Sequence, residues 1–185
     1  MVRGIPRALV LVCCLQGVLW AADTATWIDV PFVKQERNGC GAASIAMVMQ
    51  YWQRQQRAED QASDAGQIQR ALYSEKAHGI YASEMERYFK DHAFQTFAFR
   101  GEWNDLVQHL HKGRPLIVAL KPDPGAELHY VVVAGVDDDR KLVLINDPAE
   151  RKLLEREWRK FEPEWKGAGY WTLLAVPLEG ASSVR

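Results

Sequence analysis

The strongest constraint on the fold is a helical segment, residues 40–52, that is apolar on most of its faces. Apolar residues recur there at helical spacing along two sides: Ala43, Ala46, Met47 and Tyr51 on one, and Ile45, Val48, Met49 and Trp52 on the other. A helix of this kind needs protein around it on several sides, so we expect it to be central and buried.

The rest of the chain predicts an α+β domain in which a helical layer packs on an antiparallel sheet. Further helices are expected at 65–73, 83–92 and 102–113, and Ser83 with Glu86 predicts a capping box for the second. Strands are expected at 26–33, 93–99, 115–120, 128–136, 141–148 and 169–177. Residues 53–66 are polar and predict a solvated connection, and 150–165 predict irregular or helical structure. No linker or repeat divides the chain, so one domain is expected.

The charge pattern excludes several classes of partner. The formal net charge is −1 and no basic block occurs, which gives no electrostatic reason to expect nucleic acid or an anionic membrane surface as partner. A Gly-rich phosphate loop and ligand clusters at metal spacing are also missing from the sequence, so neither a cofactor nor a metal is expected. The aspartates at 137–139 are typical of a solvated hairpin tip, in preference to a calcium site.

Residues 1–21 are predicted to form a secretory signal peptide. Arg3 and Arg7 precede an apolar run at 8–20 that is too short to span a bilayer comfortably, and the small residues Ala21 and Ala22 follow it. Cleavage after Ala21 would leave residues 22–185 as a domain exported to the periplasm or the exterior, with no stable membrane insertion. Lipid attachment at a cysteine of the run is the alternative, but neither cysteine there has a small residue in the usual place before it apart from the other cysteine.

Cys40 becomes the only cysteine once the predicted signal peptide, with Cys13 and Cys14, is removed. Exported proteins usually pair their cysteines, so a lone thiol suggests a chemical use. Cys40 lies between Gly39 and Gly41 at the predicted start of a helix, where the helix dipole and unpaired N–H groups favour a thiolate. A small buried core cysteine is the alternative, but the flanking glycines and predicted export favour a nucleophile.

A thiolate nucleophile needs an imidazole that takes and returns its proton. Four of the five histidines fall in predicted surface helices or loops: His78, His92, His109 and His111. His129 differs because it opens the apolar strand HYVVVAGV. It is the candidate general base, and a simple strand-capping role is the alternative.

The length of the hairpin loop after this strand decides whether Asp147 can orient His129. A three-residue loop at 137–139 would place Asp147 opposite His129, on the face that carries Val131 and Val133. A two- or four-residue loop centred between 138 and 139 would pair residue 129 with 148 and turn Asp147 to the other face. Asp147 is alternatively just the first residue of an Asp-Pro turn.

Acyl transfer also needs hydrogen-bond donors aimed at the developing oxyanion. The backbone N–H of Cys40 is one candidate. The side chain of Gln35, five residues upstream in the loop, is the other, although a loop glutamine is more commonly just solvated.

These pieces occur in the order that a known family shows. The segments VPFVKQERNGCGAASIAMVM and HYVVVAGVDDDRKLVLINDP resemble the C39 peptidases, papain-like cysteine peptidases best known for trimming double-glycine leaders from bacteriocin precursors. The resemblance covers most of residues 28–150. It implies a papain-like α+β fold with Cys40 as nucleophile, His129 as general base, Asp147 as its orienting partner and Gln35 as oxyanion donor.

This chain also departs from the family pattern. Transporter-fused members usually have one more residue between the glutamine and the cysteine, and transporter segments and a nucleotide-binding motif are not found in this sequence. We therefore expect a stand-alone, exported cysteine peptidase that cleaves a peptide or protein, such as a secreted precursor, through a thioester acyl-enzyme. The alternatives are a transpeptidase or amidase using the same triad, and a non-catalytic domain that binds peptides in a papain-like groove.

Overall fold

A computed structural model describes residues 25–56 and 61–178 of the chain. The helices of this part are α1 Cys40–Gln56, α2 Ala65–Leu72, α3 Ala82–Asp91, α4 Trp103–His111 and α5 Trp158–Gly167. Its strands are β1 Ala25–Trp27, β2 Phe94–Arg100, β3 Leu116–Leu120, β4 His129–Asp137, β5 Leu142–Asn146, β6 Leu154–Glu157 and β7 Trp171–Pro177. The predicted signal peptide, with its cleavage site and the alternative lipid attachment, lies outside the described residues.

All strands of the described residues form one antiparallel sheet in the order β2-β7-β3-β4-β5-β6, which confirms the predicted α+β class. The short strand β1 also joins this sheet. On β4, β3 pairs with His129–Val133 and β1 pairs with 135–137, so the two strands follow one another along the same side of β4. The central strand β4 is therefore hydrogen-bonded on both sides along most of its length.

Helices cover both faces of the sheet, whereas the sequence predicted a single helical layer. The alternation along β3 shows this, because Ile117 and Ala119 belong to the cluster packed around α1, while Leu116, Val118 and Leu120 belong to the cluster packed around α4 and α5. A strand buried on both faces reads as a continuous apolar run. The second layer was missed because α5 lies in the stretch at 150–165 that predicted only irregular or helical structure.

Helix α1 is central and buried, as expected, and every residue from Gly41 to Met49 is buried. It continues four residues beyond Trp52 to Gln56, so the predicted solvated connection begins later than expected. The predicted capping box of α3 is wrong, because α3 begins at Ala82 and its N-cap residue, Tyr81, makes no side-chain capping bond. Strand β6 was also missed; it pairs with β5 along its whole length.

Among the described residues, each helix is too short or too polar to cross a bilayer.

Candidate active site

Cys40 is the first residue of α1, and a tight turn of the preceding loop places it there. The Gly39 N–H donates to the carbonyl of Glu36 at 3.0 Å, and the Gly39 carbonyl accepts the Ala43 N–H at 2.9 Å as the first turn of the helix forms. A Cβ atom on Gly39 would lie 3.1 Å from that Glu36 carbonyl oxygen. A side chain at position 39 would therefore crowd the turn directly before Cys40, whose own thiol is free and half-buried.

Ser44 joins α1 to the strand that carries His129. It lies four residues after Cys40, on the same side of the helix, and its hydroxyl donates to the Tyr130 carbonyl at 3.2 Å. Both Ser44 and Tyr130 are buried. The bond holds the helix that begins with Cys40 against the first residues of β4, so direct packing sets the separation of Cys40 and His129.

His129 and Asp147 form a hydrogen-bonded ion pair. His129 Nε2 and Asp147 Oδ1 are 2.8 Å apart, with 29% of the histidine side chain and 5% of the aspartate side chain exposed. Burial alone would lower the pKa of His129, but the hydrogen bond to Asp147, followed by interaction with the Cys40 side chain, raises the pKa to about 10. Because Nε2 is engaged by Asp147, Nδ1 is the ring nitrogen that remains for Cys40.

Asp147 is held by the turn that follows β5. Its Oδ1 also accepts the Ala149 N–H at 2.9 Å, and its own N–H donates to the Arg151 carbonyl at 3.1 Å. Burial would raise the pKa of Asp147, but the hydrogen bond and charge of His129 outweigh burial and lower the pKa below its ordinary value. The carboxylate is thus kept ionised and aimed at the imidazole.

The length of the hairpin loop, which the sequence left open, is set by the pairing of β4 with β5. Asp137 pairs with Leu142, so the loop has four residues, 138–141, and not three. A bulge between Val133 and Gly135 then shifts the register by one residue and places Asn146 opposite Val132. This shift returns Asp147 to the face that His129 shares with Val131 and Val133, because side chains alternate along a strand.

Sequence reasoning missed Asn146, which connects the His–Asp turn to the chain ahead of Cys40. Asn146 is fully buried, and its Nδ2 donates to the carbonyls of Val30 at 3.1 Å and Pro31 at 3.3 Å. Its Oδ1 accepts the Leu153 N–H at 2.9 Å. Its position directly before Asp-Pro was the available signal, but two of its three partners lie more than a hundred positions away and leave no local pattern.

Gln35 lies close to this turn, because its N–H donates to the Pro148 carbonyl at 2.9 Å. Its side-chain Oε1 is buried with no hydrogen-bond partner, and the side chain lines a cavity of about 60 Å³ together with Gly39 and Ala42. The structure therefore brings Gln35 next to the helix start that carries Cys40. Neither Cys40 nor His129 is among the residues that line this cavity.

One tyrosine lies beside the candidate site, and other histidines of the chain lie next to other groups. Tyr130 is buried beside the site, and burial followed by the charge of Cys40 raises its pKa to about 12. His92 Nδ1 lies 2.7 Å from the Tyr88 carbonyl oxygen, and His111 Nδ1 lies 3.2 Å from the hydroxyl of Thr26. Of the five histidines, only His129 contacts both Cys40 and a carboxylate within the described part of the chain.

A sequence model described as the Peptidase_C39 like family matches residues 27–172, which include the whole Gln–Cys–His–Asp series. The chain belongs to this family. A search of curated proteins finds no match. Membership agrees with the order of the quoted motifs and extends the resemblance beyond residues 28–150 to most of the chain.

Solved structures show the same fold. A protein described as a C39-like peptidase from Bacillus anthracis has a TM-score of 0.64 at 17% identity, covering 82% of this chain and 97% of its own. The peptidase domain of Streptococcus ComA, a bifunctional ABC transporter, has a TM-score of 0.62 at 19% identity. The match covers 80% of this chain and 98% of that domain's chain. A double glycine motif protease from an AMS/PCAT transporter, solved with a leader peptide, has a TM-score of 0.62 at 23% identity, covering 82% and 94%. The papain-like arrangement of helices and antiparallel sheet is thus the fold of this chain.

Proposed function

We propose that this protein is an exported cysteine peptidase that cleaves a peptide or protein through a thioester acyl-enzyme. The observation that carries the proposal is a single imidazole with two partners. His129 bonds to Asp147 at 2.8 Å and interacts on its other side with the only free thiol of the described chain. A Cys–His pair oriented by a third group is the arrangement that activates a thiol for attack on a carbonyl.

In the first half of the reaction, His129 takes the proton of the Cys40 thiol, and Sγ attacks the carbonyl carbon of the scissile bond. The Gln35 amide nitrogen and the Cys40 N–H donate to the oxyanion that forms. As the C–N bond breaks, the imidazolium gives its proton to the departing amine, leaving the acyl group on Sγ as a thioester.

In the second half, His129 removes a proton from water, whose oxygen attacks the thioester. The C–S bond then breaks, the acid product leaves, and the proton on His129 returns to the thiolate. A pKa of about 10 makes His129 a base strong enough to hold a thiol's proton, and the buried Asp147 carboxylate compensates the charge of the imidazolium.

A peptide is the substrate class that the family supports. The double glycine motif protease was solved in complex with a leader peptide, so this fold binds a peptide in that protein. For this chain we propose a peptide or secreted precursor as substrate, and we carry over no double-glycine preference.

Thiol labelling tests the nucleophile. A peptide-like epoxide should label the wild-type protein at Cys40, and labelling should vanish in Cys40→Ala and fall sharply in His129→Ala. Peptides cleaved by the wild type should be untouched by both variants. Cleavage that persists in Cys40→Ala would refute the mechanism. Mass spectrometry of the products formed with an added amine separates hydrolysis, which gives the free acid, from transfer, which gives the amide.

Export is tested separately. Expression of the full chain in a bacterium, followed by fractionation and N-terminal sequencing, should give a periplasmic or secreted protein that begins at Ala22. A product that keeps Met1 in the cytoplasm would refute export but leave the peptidase proposal standing.

A further inference from the structure

A second pocket opens beside the loop that leads to Cys40. Its volume is about 680 Å³, large enough for one or two amino-acid side chains. Arg37 and Arg70 bring positive charge to its wall, and Tyr73 and His78 add further polar groups. Glu75 is the only acidic residue among the lining residues. The pocket is thus more basic than the molecule as a whole, whose net charge is −1.

The two arginines of this pocket have no carboxylate partner within the described residues. Some other arginines there do, since Arg87 pairs with Glu84 and Arg156 pairs with Glu164. Arg37 and Arg70 are both exposed. A guanidinium that faces a pocket without a partner has its forked donors free for an incoming carboxylate.

The pocket wall is attached to the loop that positions the nucleophile. Asn38, two residues before Cys40, donates through Nδ2 to the Tyr73 hydroxyl at 3.5 Å, and its carbonyl accepts from Gln69 Nε2 at 3.4 Å. Asn38 has a φ of 56°, the left-handed conformation that asparagine tolerates better than most residues. Helix α2 and this loop therefore form one continuous wall.

The distance from the pocket to the thiol suits a peptide bound at Cys40. Arg37 is three residues from Cys40, so their Cα atoms are at most about 10 Å apart. An extended peptide advances about 3.3 Å per residue. A side chain within about three residues of the scissile bond can therefore enter the pocket.

We propose that this pocket binds an acidic side chain of the substrate peptide, and so makes Arg37 and Arg70 determinants of specificity. The inference rests on the proposed peptidase function, since it places the scissile bond at Cys40. An aspartate or glutamate within three residues of that bond would accept hydrogen bonds from the two guanidinium groups.

The test uses a set of labelled decapeptides with an Ala/Gly/Ser scaffold. Each position in turn carries either a glutamate or a glutamine, which has nearly the same shape but no charge. Binding to the full-length Cys40→Ala protein is measured by fluorescence anisotropy, and cleavage by the wild type is measured in parallel. At one position, the glutamate peptide should bind about fivefold to tenfold more tightly than the peptide with glutamine at that position, as expected for a partly exposed charged contact. The preference should shrink at high salt.

Arg37→Gln and Arg70→Gln, each introduced into Cys40→Ala, should reduce this preference to about twofold or less. Arg87→Gln is the matched control, because it removes an exposed arginine of α3 that is not among the residues lining the pocket, and it should keep the full preference. Equal binding of the glutamate and glutamine peptides at every position overturns the pocket assignment, as does a preference that survives in both pocket variants. If the glutamate peptide binds more tightly but the wild type cleaves no peptide, the result counts against the peptidase function alone and leaves the pocket assignment standing.

Discussion

The carboxylate of Asp147 acts on His129 in two separable ways. It accepts a hydrogen bond at 2.8 Å, which fixes the ring, and its charge favours the protonated ring. Although burial lowers the pKa of His129, these effects together with Cys40 raise it to about 10. An amide at position 147 can keep the hydrogen bond but not the charge, so substitution separates the two contributions.

We predict that Asp147→Asn keeps part of the activity and that Asp147→Ala keeps much less. At neutral pH, kcat/KM should fall about tenfold in the first variant and about a hundredfold or more in the second. The wild type should lose activity as pH approaches 10, because deprotonated His129 cannot protonate the departing amine, and this alkaline limb should move to lower pH in Asp147→Asn. Peptide cleavage measured across pH checks both points; identical alkaline limbs would contradict the assigned role of the charge.

Gln35 gives a second prediction at the residue scale. If its amide nitrogen stabilises the oxyanion, Gln35→Ala should lower kcat about a hundredfold and change KM little. Its Oε1 is buried without a partner, so the substitution should not reduce the free energy of unfolding. Urea unfolding and steady-state kinetics on the same samples separate the two effects. Gln95→Ala, at an exposed position of β2, is the control and should change neither; a fall in stability that matched the fall in kcat would indicate a structural role for Gln35.

At the scale of elements, local patterns predicted the main helices and strands but not the pairing of strands that are distant in sequence. The 3.6-residue period of α1 and the apolar runs of β3 and β4 are local properties, so they could be predicted. The last turn of α1 is polar and was indistinguishable from a loop. Strand β6 depends on pairing with β5 for its hydrogen bonds, and no local signal reports such a pairing.

The hairpin shows why the site geometry could be only partly predicted. Cys40, His129 and Asp147 could be proposed from residue type and order, but the sequence left the loop length open, and with it the alignment of Asp147 with His129. The register depends on a bulge at a point where β1 pairs closely with β4, since a Cβ on Gly135 would lie 2.7 Å from Trp27 Cβ. Ser44 and Asn146 were not predicted for a related reason, because Ser44 bonds Tyr130 and Asn146 bonds Val30 and Pro31, all distant in sequence.

Asn146 gives a prediction about how the elements are tied together. Asn146→Ala removes bonds to Val30, Pro31 and Leu153 and leaves buried polar groups without partners, so we expect a loss of about 2–4 kcal/mol in the free energy of unfolding. Activity should fall as well, because the turn that carries Asp147 loses its anchor. Asn104→Ala, at an exposed position of α4, is the control and should cost less than about 0.5 kcal/mol. Urea unfolding followed by tryptophan fluorescence measures both; equal stability of the two variants would contradict the anchoring role.

At the scale of the whole molecule, the candidate site lies where two halves of the fold meet. The helix α1 supplies Cys40, while the sheet and its β5 turn supply His129 and Asp147. Ser44 joins α1 to β4, and the Gln35 N–H joins the preceding loop to Pro148. Because the ionisable groups are brought together only by folding, their pKa values differ between the folded and unfolded chain, and stability must depend on pH.

The sign of this dependence follows from the two pKa shifts. The pKa of His129 rises on folding from 6.5 to about 10, so its stabilising contribution is complete below pH 6.5 and is lost as pH rises towards 10. The pKa of Asp147 falls below its ordinary 3.8, so its contribution is present above that pH and is lost in more acidic solution. The pair therefore stabilises the fold most between about pH 4 and 6.5.

We predict that the stability advantage of the wild type over His129→Gln is about 1–3 kcal/mol smaller at pH 9 than at pH 6. The reason is that the unfolded wild-type chain releases the histidine proton in this range while the folded protein retains it. Urea unfolding of both proteins at the two pH values, with a reductant present to keep Cys40 free, gives the difference directly. Gln95→Ala carries no change in ionisable groups, so its difference from the wild type should be the same at both pH values. A constant advantage over His129→Gln, or one that grows with pH, would show that His129 does not retain its proton in the folded protein.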